Sequence, residues 1–214
     1  MLITLYIVRH GQTVDNLENR IQGHTDSPLT ELGVRQAEAV ADRLASESFA
    51  AIHSSDLGRA VRTAEIVASR HALPVKTTPL LRESNLGVAQ GLTIEQFAER
   101  WPEECRLWRM DSTAHRPPGA ETLGQVVKRC GEFIQRILAE HVDGDKLAVI
   151  AHAGSQRGLI CAAFGLPVSF YRALGTANAS VSIVDVGNRP SLKLLNDTCH
   201  LRGVEVTVLD ADTA

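Results

Sequence analysis

Two histidines, three arginines and a glutamate stand where short apolar runs give way to polar residues. The first run ends in Arg9-His10-Gly11-Gln12-Thr13, and the second in Ser54-Ser55-Asp56, with Arg59 one turn into the next helical pattern. A weak third run leads to Arg82-Glu83, and a fourth ends in His152-Ala153-Gly154. A neutral imidazole, with an ordinary pKa of about 6.5, is a competent nucleophile near neutral pH, and neighbouring guanidinium charges would hold it unprotonated. His10 is therefore the candidate nucleophile, and Gly11 beside it permits close backbone approach. Arg9, Arg59 and His152 are donors of the kind that stabilise charge spread over the three equatorial oxygens of a transferring phosphoryl group. Glu83 is the carboxyl available to protonate a leaving alkoxide.

Residues so far apart meet only if the chain between them folds them to one edge. Val- and Ile-rich runs at 3–8, 50–53, 75–77 and 147–151 are each followed by polar residues and a helical pattern. That alternation predicts an α/β three-layer sandwich, with a mostly parallel central sheet flanked by helices. In such sheets ligands bind beyond the carboxyl ends of the strands, where loops converge and helix N-termini point their N–H groups inward. Runs at 181–186 and 192–195 bracket Gly187-Asn188-Arg189-Pro190 and read as a hairpin. Helical periodicity is clearest at Ala37, Val40, Ala41 and Leu44, and at Cys130, Phe133, Ile134, Ile137, Leu138 and His141.

The pattern loosens over about residues 84–121. There Thr93-Ile94-Glu95-Gln96 reads as a capping box before a short helix, and Pro117-Pro118-Gly119 as a turn. This segment is expected to be a small lid insertion over the sheet edge, within a single domain spanning 1–214. The last five residues read as frayed.

Composition narrows the function. With 44% hydrophobic and 22% charged residues the chain matches ordinary globular proteins, and its net charge of −3 lacks the Lys/Arg runs of nucleic-acid or membrane binders. Neither nucleic acid nor membrane is expected as a partner, and any anion site must be local. No basic leader and no apolar stretch of spanning length is visible, so a cytoplasmic protein is expected. Cys105, Cys130, Cys161 and Cys199 are widely spaced, without zinc spacing, and read as buried thiols in a reducing compartment.

Arg9-His10-Gly11-Gln12-Thr13, with Asn16, Arg20, Gln22-Gly23, Asp26-Ser27-Pro28-Leu29-Thr30 and Gly33, resembles the opening of the phosphoglycerate-mutase-like histidine phosphatases. The likeness continues through Ser54-Ser55-Asp56-Leu57, Arg59-Ala60, Thr63-Ala64, Leu81-Arg82-Glu83, Gly119 with Glu121, His152 with Gly154, and Asn178 with Ser180. It implies that His10 is phosphorylated in turnover, that Arg9, Arg59 and His152 hold the phosphate, and that Glu83 is the proton donor. It places Asn16 at the pocket edge and Gln22 on the substrate side, with Gly11 and Ala153 beside them as substrate-binding backbone. No metal and no cofactor is implied. The departures at Asp15, Ala89, Ala151 and Ala153 blur the identity of the substrate.

The expected activity is a metal-independent histidine acid-type phosphatase acting on a small phosphomonoester. A mutase and a silent phospholigand sensor are the alternatives; the compact lid favours hydrolysis, and the presence of both His10 and Glu83 disfavours the sensor. Arg82 and Arg20 are expected to pair with surface carboxylates, Arg20 with Glu18 or Glu31. His24, His53, His71, His141 and His200 read as structural or exposed, His115 as a candidate substrate contact, and Trp101 and Trp108 as packing residues. An exposed strand near the C-terminus would allow a homodimer.

Overall fold

The computed structural model describes residues 1–204, so the expectation for the final five residues lies outside the described part. In chain order the elements are β1 (Leu2–Arg9), α1 (Val14–Leu17), α2 (Glu31–Leu44), β2 (Ala51–Ser55), α3 (Gly58–Ala68) and β3 (Val75–Thr78). They continue with α4 (Ile94–Arg100), α5 (Pro102–Met110), α6 (Leu123–Glu140), β4 (Lys146–Ala151), α7 (Ala153–Phe164), β5 (Val181–Gly187) and β6 (Ser191–Asp197). The six strands form one sheet in the order β3-β2-β4-β1-β5-β6. Strands β3, β2, β4 and β1 run parallel, and β5 and β6 form the predicted antiparallel hairpin.

Alternation along β1 explains the layers. Ile3, Leu5 and Ile7 face Phe133, Ile134 and Ile137 of α6 and Leu159 of α7, while Tyr6 and Val8 face Val40 and Ala41 of α2 and Ala60 and Ala64 of α3. Both faces of the central strands are covered, which is why they read as unbroken apolar runs. A fully buried side chain such as Leu5 or Ile137 contributes about 1.5–3 kcal/mol through its burial. The helices also begin where caps dictate. Thr30 and Thr122 each accept from the backbone N–H three residues on, opening α2 and α6.

The lid has a small core of its own: Ile21, Leu86, Phe97, Cys105 and Trp108 pack together, and Trp101 packs against them, so both tryptophans serve packing. The Thr93–Gln96 capping box is present, but two helices follow it rather than one. Pro102 occupies the first position of α5, where its missing N–H costs nothing, and so restarts the helix. An antiparallel bridge between Leu86 and Ala120 closes the base of the lid.

Among the cysteines, Cys105, Cys130 and Cys161 are buried as expected, but Cys199 is exposed. It lies in the turn that follows the edge strand β6. Exposed Ser191, Leu192 and Lys193 show that β6 leaves its outer side uncovered. No helix among the described residues is long and apolar enough to cross a membrane.

His53 is an unusual core residue. It lies on β2 against the ring of Phe133, 5.5 Å between centroids, and its Nε2 has no partner. Burial lowers its pKa to about 4, with Lys76 and His141 adding to the effect. Between the ordinary histidine value near 6.5 and about 4, an unfolded chain takes up a proton that the folded protein refuses, so stability falls as pH falls through that window. His53→Leu should flatten part of that acid slope, measured as urea midpoints from pH 7 to 4; an unchanged slope would show that His53 is not a source of it.

Candidate active site

The site begins one residue beyond β1. His10 extends the sheet, its N–H donating to Ala151 O at 3.0 Å, while its carbonyl accepts from Ala179 N at 3.2 Å and Asn178 Nδ2 at 3.1 Å. The backbone is thus held from β4 on one side and from the segment entering β5 on the other. His10 Nδ1 lies 2.7 Å from Gly11 O. A carbonyl only accepts, so Nδ1 carries the proton and Nε2 keeps its lone pair. Gly11 is needed for packing: a Cβ there would overlap the carbonyl of Gly33 in the first turn of α2.

Two buried guanidiniums flank this imidazole. Arg9 is 4% exposed, donates through Nη1 to Thr176 O, and has no partner at Nε. Arg59 is 2% exposed and is fixed by the start of α3, whose first N–H groups are capped by Asp26 at 2.7 Å and 3.3 Å. Its Nη atoms donate to Thr25 O at 2.8 Å and Gly23 O at 2.7 Å, Asp26 stands 3.5 Å away, and Nε is unpartnered. Gly23 offers its carbonyl from a left-handed turn, φ 57°, where a Cβ would also strike Gln90.

His152 follows β4 and caps α7. Its ring is fully buried, 5.1 Å from that of His10 between centroids, and neither ring nitrogen has a partner. Burial and the Arg59 and Arg9 charges hold His10 well below the ordinary imidazole value, and burial first, then Arg59 and His10, does the same to His152. Burial thus contributes more to a neutral His10 than either guanidinium charge does singly. Arg9 is lowered by burial to about 10, which leaves it charged at neutral pH.

Glu83 closes the site from the β3 side. Its carboxylate accepts from Ser84 N at 2.7 Å and from Gly154 N, in the first turn of α7, at 3.1 Å. Gly154 has to lack a side chain, because a Cβ would fall on the Glu83 carboxylate and crowd Tyr171 Oη. The Glu83 main chain is clamped as well. Arg129 of α6 donates to the carbonyls of Leu80, Arg82 and Glu83 at 2.9, 2.7 and 3.0 Å, is itself held by Glu121 at 3.0 Å, and is joined at the Glu83 carbonyl by His24 Nε2 at 2.8 Å.

These groups line one cavity of about 610 Å³, counting the space at its mouth. Of the residues singled out in the sequence, Arg9, His10, Asn16, Gln22, Arg59 and Glu83 line it. His152 sits behind His10, and Gly11 and Ala153 are buried outside the wall. Asn16 Oδ1 accepts from Thr13 N and Asn178 Nδ2, which anchors the cavity edge to the His10 backbone. Arg82 pairs with Asp56 at 2.6 Å and Arg20 with Glu18 at 2.7 Å, as expected, although Arg20 also reaches the cavity wall. His115 is exposed and does not line the cavity; its neighbour Arg116 is the lid residue that does. Tyr171 also lines the cavity and donates to Gly154 O at 2.7 Å. Nothing in its sequence neighbourhood marks it. Among the described residues no cluster of three or more His, Cys, Asp or Glu side chains is placed to hold a metal ion.

Comparison with known proteins places this geometry. The family model of the histidine phosphatase superfamily (branch 1) matches residues 5–198. A probable phosphoglycerate mutase GpmB of Yersinia pestis (strain Pestoides F) is 36% identical over 210 residues, 94% of this chain and 95% of that protein. Among solved structures, a mycobacterial glucosyl-3-phosphoglycerate phosphatase complexed with VO3 is similar at TM-score 0.83 and 35% identity, covering 91% of this chain and 99% of that one. A putative alpha-ribazole-5'-P phosphatase from Escherichia coli str. K-12 substr. MG1655 gives TM-score 0.84 and 28% identity, over 91% and 96% of the two chains.

The His10 ring should remain the neutral Nδ1–H tautomer between about pH 5 and 8, the range over which an ordinary histidine titrates. Long-range ¹⁵N–¹H NMR would read this directly, and a His10 that titrates near 6.5 would contradict the geometry. In Gly154→Ala the Glu83 carboxylate should be turned away from the Ser84 and Gly154 amides, with a stability loss of about 1–3 kcal/mol. A crystal structure and a thermal melt of the variant check this; an undisplaced Glu83 would refute it.

Proposed function

Because the chain belongs to the histidine phosphatase superfamily, branch 1, we propose that it is a metal-independent phosphomonoesterase of the histidine acid type. It hydrolyses small phosphorylated metabolites through a phosphohistidine at His10. The observation that carries this reading is the set of buried polar atoms without partners around the His10 ring: Arg9 Nε, Arg59 Nε, both ring nitrogens of His152 and Gln22 Oε1. Buried donors are rarely left unpaired unless a ligand completes them. Three donors beside a neutral nucleophile, Arg9 Nε, Arg59 Nε and the one N–H of the neutral His152 ring, suit a phosphate dianion, and they supply the charge stabilisation that a metal supplies elsewhere.

In the first step His10 Nε2 forms a bond to phosphorus as the bond from phosphorus to the ester oxygen breaks. Glu83, as the general acid, gives a proton to the departing alkoxide. In the second step water attacks phosphorus, the N–P bond breaks, Glu83 takes the water's proton, and inorganic phosphate leaves. Arg9 and Arg59 hold the equatorial oxygens from the cavity wall throughout, the N–H of the His152 ring reaches them from behind His10, and Asn16 and Gln22 border the pocket. The working unit we propose is one cytoplasmic domain, with the exposed edge of β6 able to pair with a second copy.

One observation favours a second reading: the curated relative is described as a probable phosphoglycerate mutase. Hydrolysis and mutation share the phosphohistidine and differ in whether water or a second hydroxyl discharges it. Against hydrolysis as the main reaction would stand isomerisation of 3-phosphoglycerate that outpaces phosphate release, measured in EDTA. The expected result is phosphate release from both 3-phosphoglycerate and p-nitrophenyl phosphate.

His10→Ala should lower kcat by at least about 10³-fold with an unchanged circular dichroism spectrum. Rapid-quench mass spectrometry of the parent protein should find one phosphoryl group on His10 and none elsewhere. Glu83→Gln should impair alkyl phosphates more than p-nitrophenyl phosphate, whose leaving group departs with little protonation. Equal losses on the two would reject Glu83 as the acid.

A further inference from the structure

Two amides set the plane of the Glu83 carboxylate, and they differ in kind. Ser84 N, which donates to Oε1 at 2.7 Å, is the next residue and moves with Glu83. Gly154 N, which donates to Oε2 at 3.1 Å, belongs to the start of α7 and ties the carboxylate to the element that also carries His152. A first-turn N–H has no intrahelical partner, and helix ends fray, so holding this amide in one direction calls for a brace from outside the helix.

Tyr171 is placed to be that brace. It comes from a 3-10 turn, Val168–Ala173, lines the cavity, and is 4% exposed. Its Oη donates to Gly154 O at 2.7 Å. A Cβ on Gly154 would stand 2.8 Å from that oxygen and closer still to Glu83 Oε1, so the tyrosine and the glutamate crowd the same side of one glycine. The ring is fixed in turn by α7. The Arg157 guanidinium lies over it at 5.7 Å from the centroid, and Arg157 Nε donates to Leu174 O at 2.9 Å, just beyond the turn. Burial first, and then the Glu83 carboxylate, push the phenol above its ordinary range, so Oη keeps its hydrogen and stays a donor.

We propose that Tyr171 is a positioning residue for the general acid: its hydroxyl, bound to Gly154 O, holds the Gly154 N–H that aims the Glu83 carboxyl at the ester oxygen. This rests on the phosphohistidine reading of the same site, with Glu83 as its acid, and adds the group that directs the acid. The Tyr171 hydrogen stays on Oη in both steps; the proton that reaches the alkoxide comes from Glu83 and is replaced from the attacking water. A misdirected acid costs most where the leaving group departs as a strong base.

The test reads the ratio of kcat for glycerol 3-phosphate to kcat for p-nitrophenyl phosphate in the parent, Tyr171→Phe, Glu83→Gln and the double variant. Phenylalanine keeps the ring beneath Arg157, and a cooperative thermal melt checks that the fold is intact. Tyr171→Phe should lower the ratio about 3- to 10-fold, the fold-change to which one hydrogen bond corresponds, with the loss in kcat rather than KM. On the Glu83→Gln background it should lower the ratio no further, because a carboxamide has no proton to deliver. In ¹H–¹⁵N spectra the Gly154 amide proton should move upfield in Tyr171→Phe as its bond to Glu83 loosens. Equal slowing of both esters, a further fall in the ratio on the Glu83→Gln background, or an unmoved Gly154 amide overturns the assignment. The two failures separate through Glu83→Gln alone. If it lowers the ratio and Tyr171→Phe does not, only the role of Tyr171 falls; if it leaves the ratio at the parent value, Glu83 as the acid falls and Tyr171 with it.

Discussion

Two guanidiniums are buried beside a neutral imidazole, with carbonyl oxygens rather than close carboxylates as their main partners, and the rest of the structure is arranged around that. Moving a cation out of water costs several kcal/mol even after relaxation. Arg9 leans on one carbonyl, and Arg59 on two carbonyls at 2.7–2.8 Å with Asp26 farther off at 3.5 Å. The carbonyls solvate the charge without cancelling it, so a positive field remains at His10. That field and the burial act in the same direction on the ring and keep it unprotonated.

Such an arrangement persists only if the scaffold cannot relax. Parallel strands β1 and β4 end side by side, which sets Arg9-His10 against His152, and the segment entering β5 locks the His10 carbonyl. Glycines then let neighbouring chain approach at points where a methyl group would intrude. Gly11 admits the carbonyl of Gly33, and Gly154 admits the Glu83 carboxylate. Each close approach restricts where a site residue can sit, and positioning is what a reacting centre requires.

Glu83 depends on a different device. It lies in a loop, yet Arg129 holds three successive stretches of that loop by their carbonyls, and Glu121 holds Arg129. Glu121 also joins Asn85 through both its backbone N–H and its carboxylate, which ties the base of the lid to the loop of Glu83. Arg116 donates to the Glu121 carbonyl, and the lid cation is thereby built on the same support as the acid. The two ends of the cavity are linked through a single glutamate.

The sequence by itself determined the alternation of strands and helices, because buried parallel strands leave unbroken Val and Ile runs and amphipathic helices leave a period of 3.6. It also marked His10, Arg59, Glu83 and His152 as strand-end residues, since the rule that ligands sit beyond the carboxyl ends of parallel strands needs only local pattern. It could not show that Gly11 and Ala153 serve packing rather than the cavity wall, that Arg116 and not His115 faces inward, or that Tyr171 joins the site. Nor did it show the exposure of Cys199 or the break that splits the lid into α4 and α5. Those outcomes turn on where side chains point after distant segments meet, and contacts such as Gly11 with Gly33 or Arg116 with Ser84 leave no periodic trace along the chain. Tertiary structure decided them because direction and desolvation are properties of the packed whole.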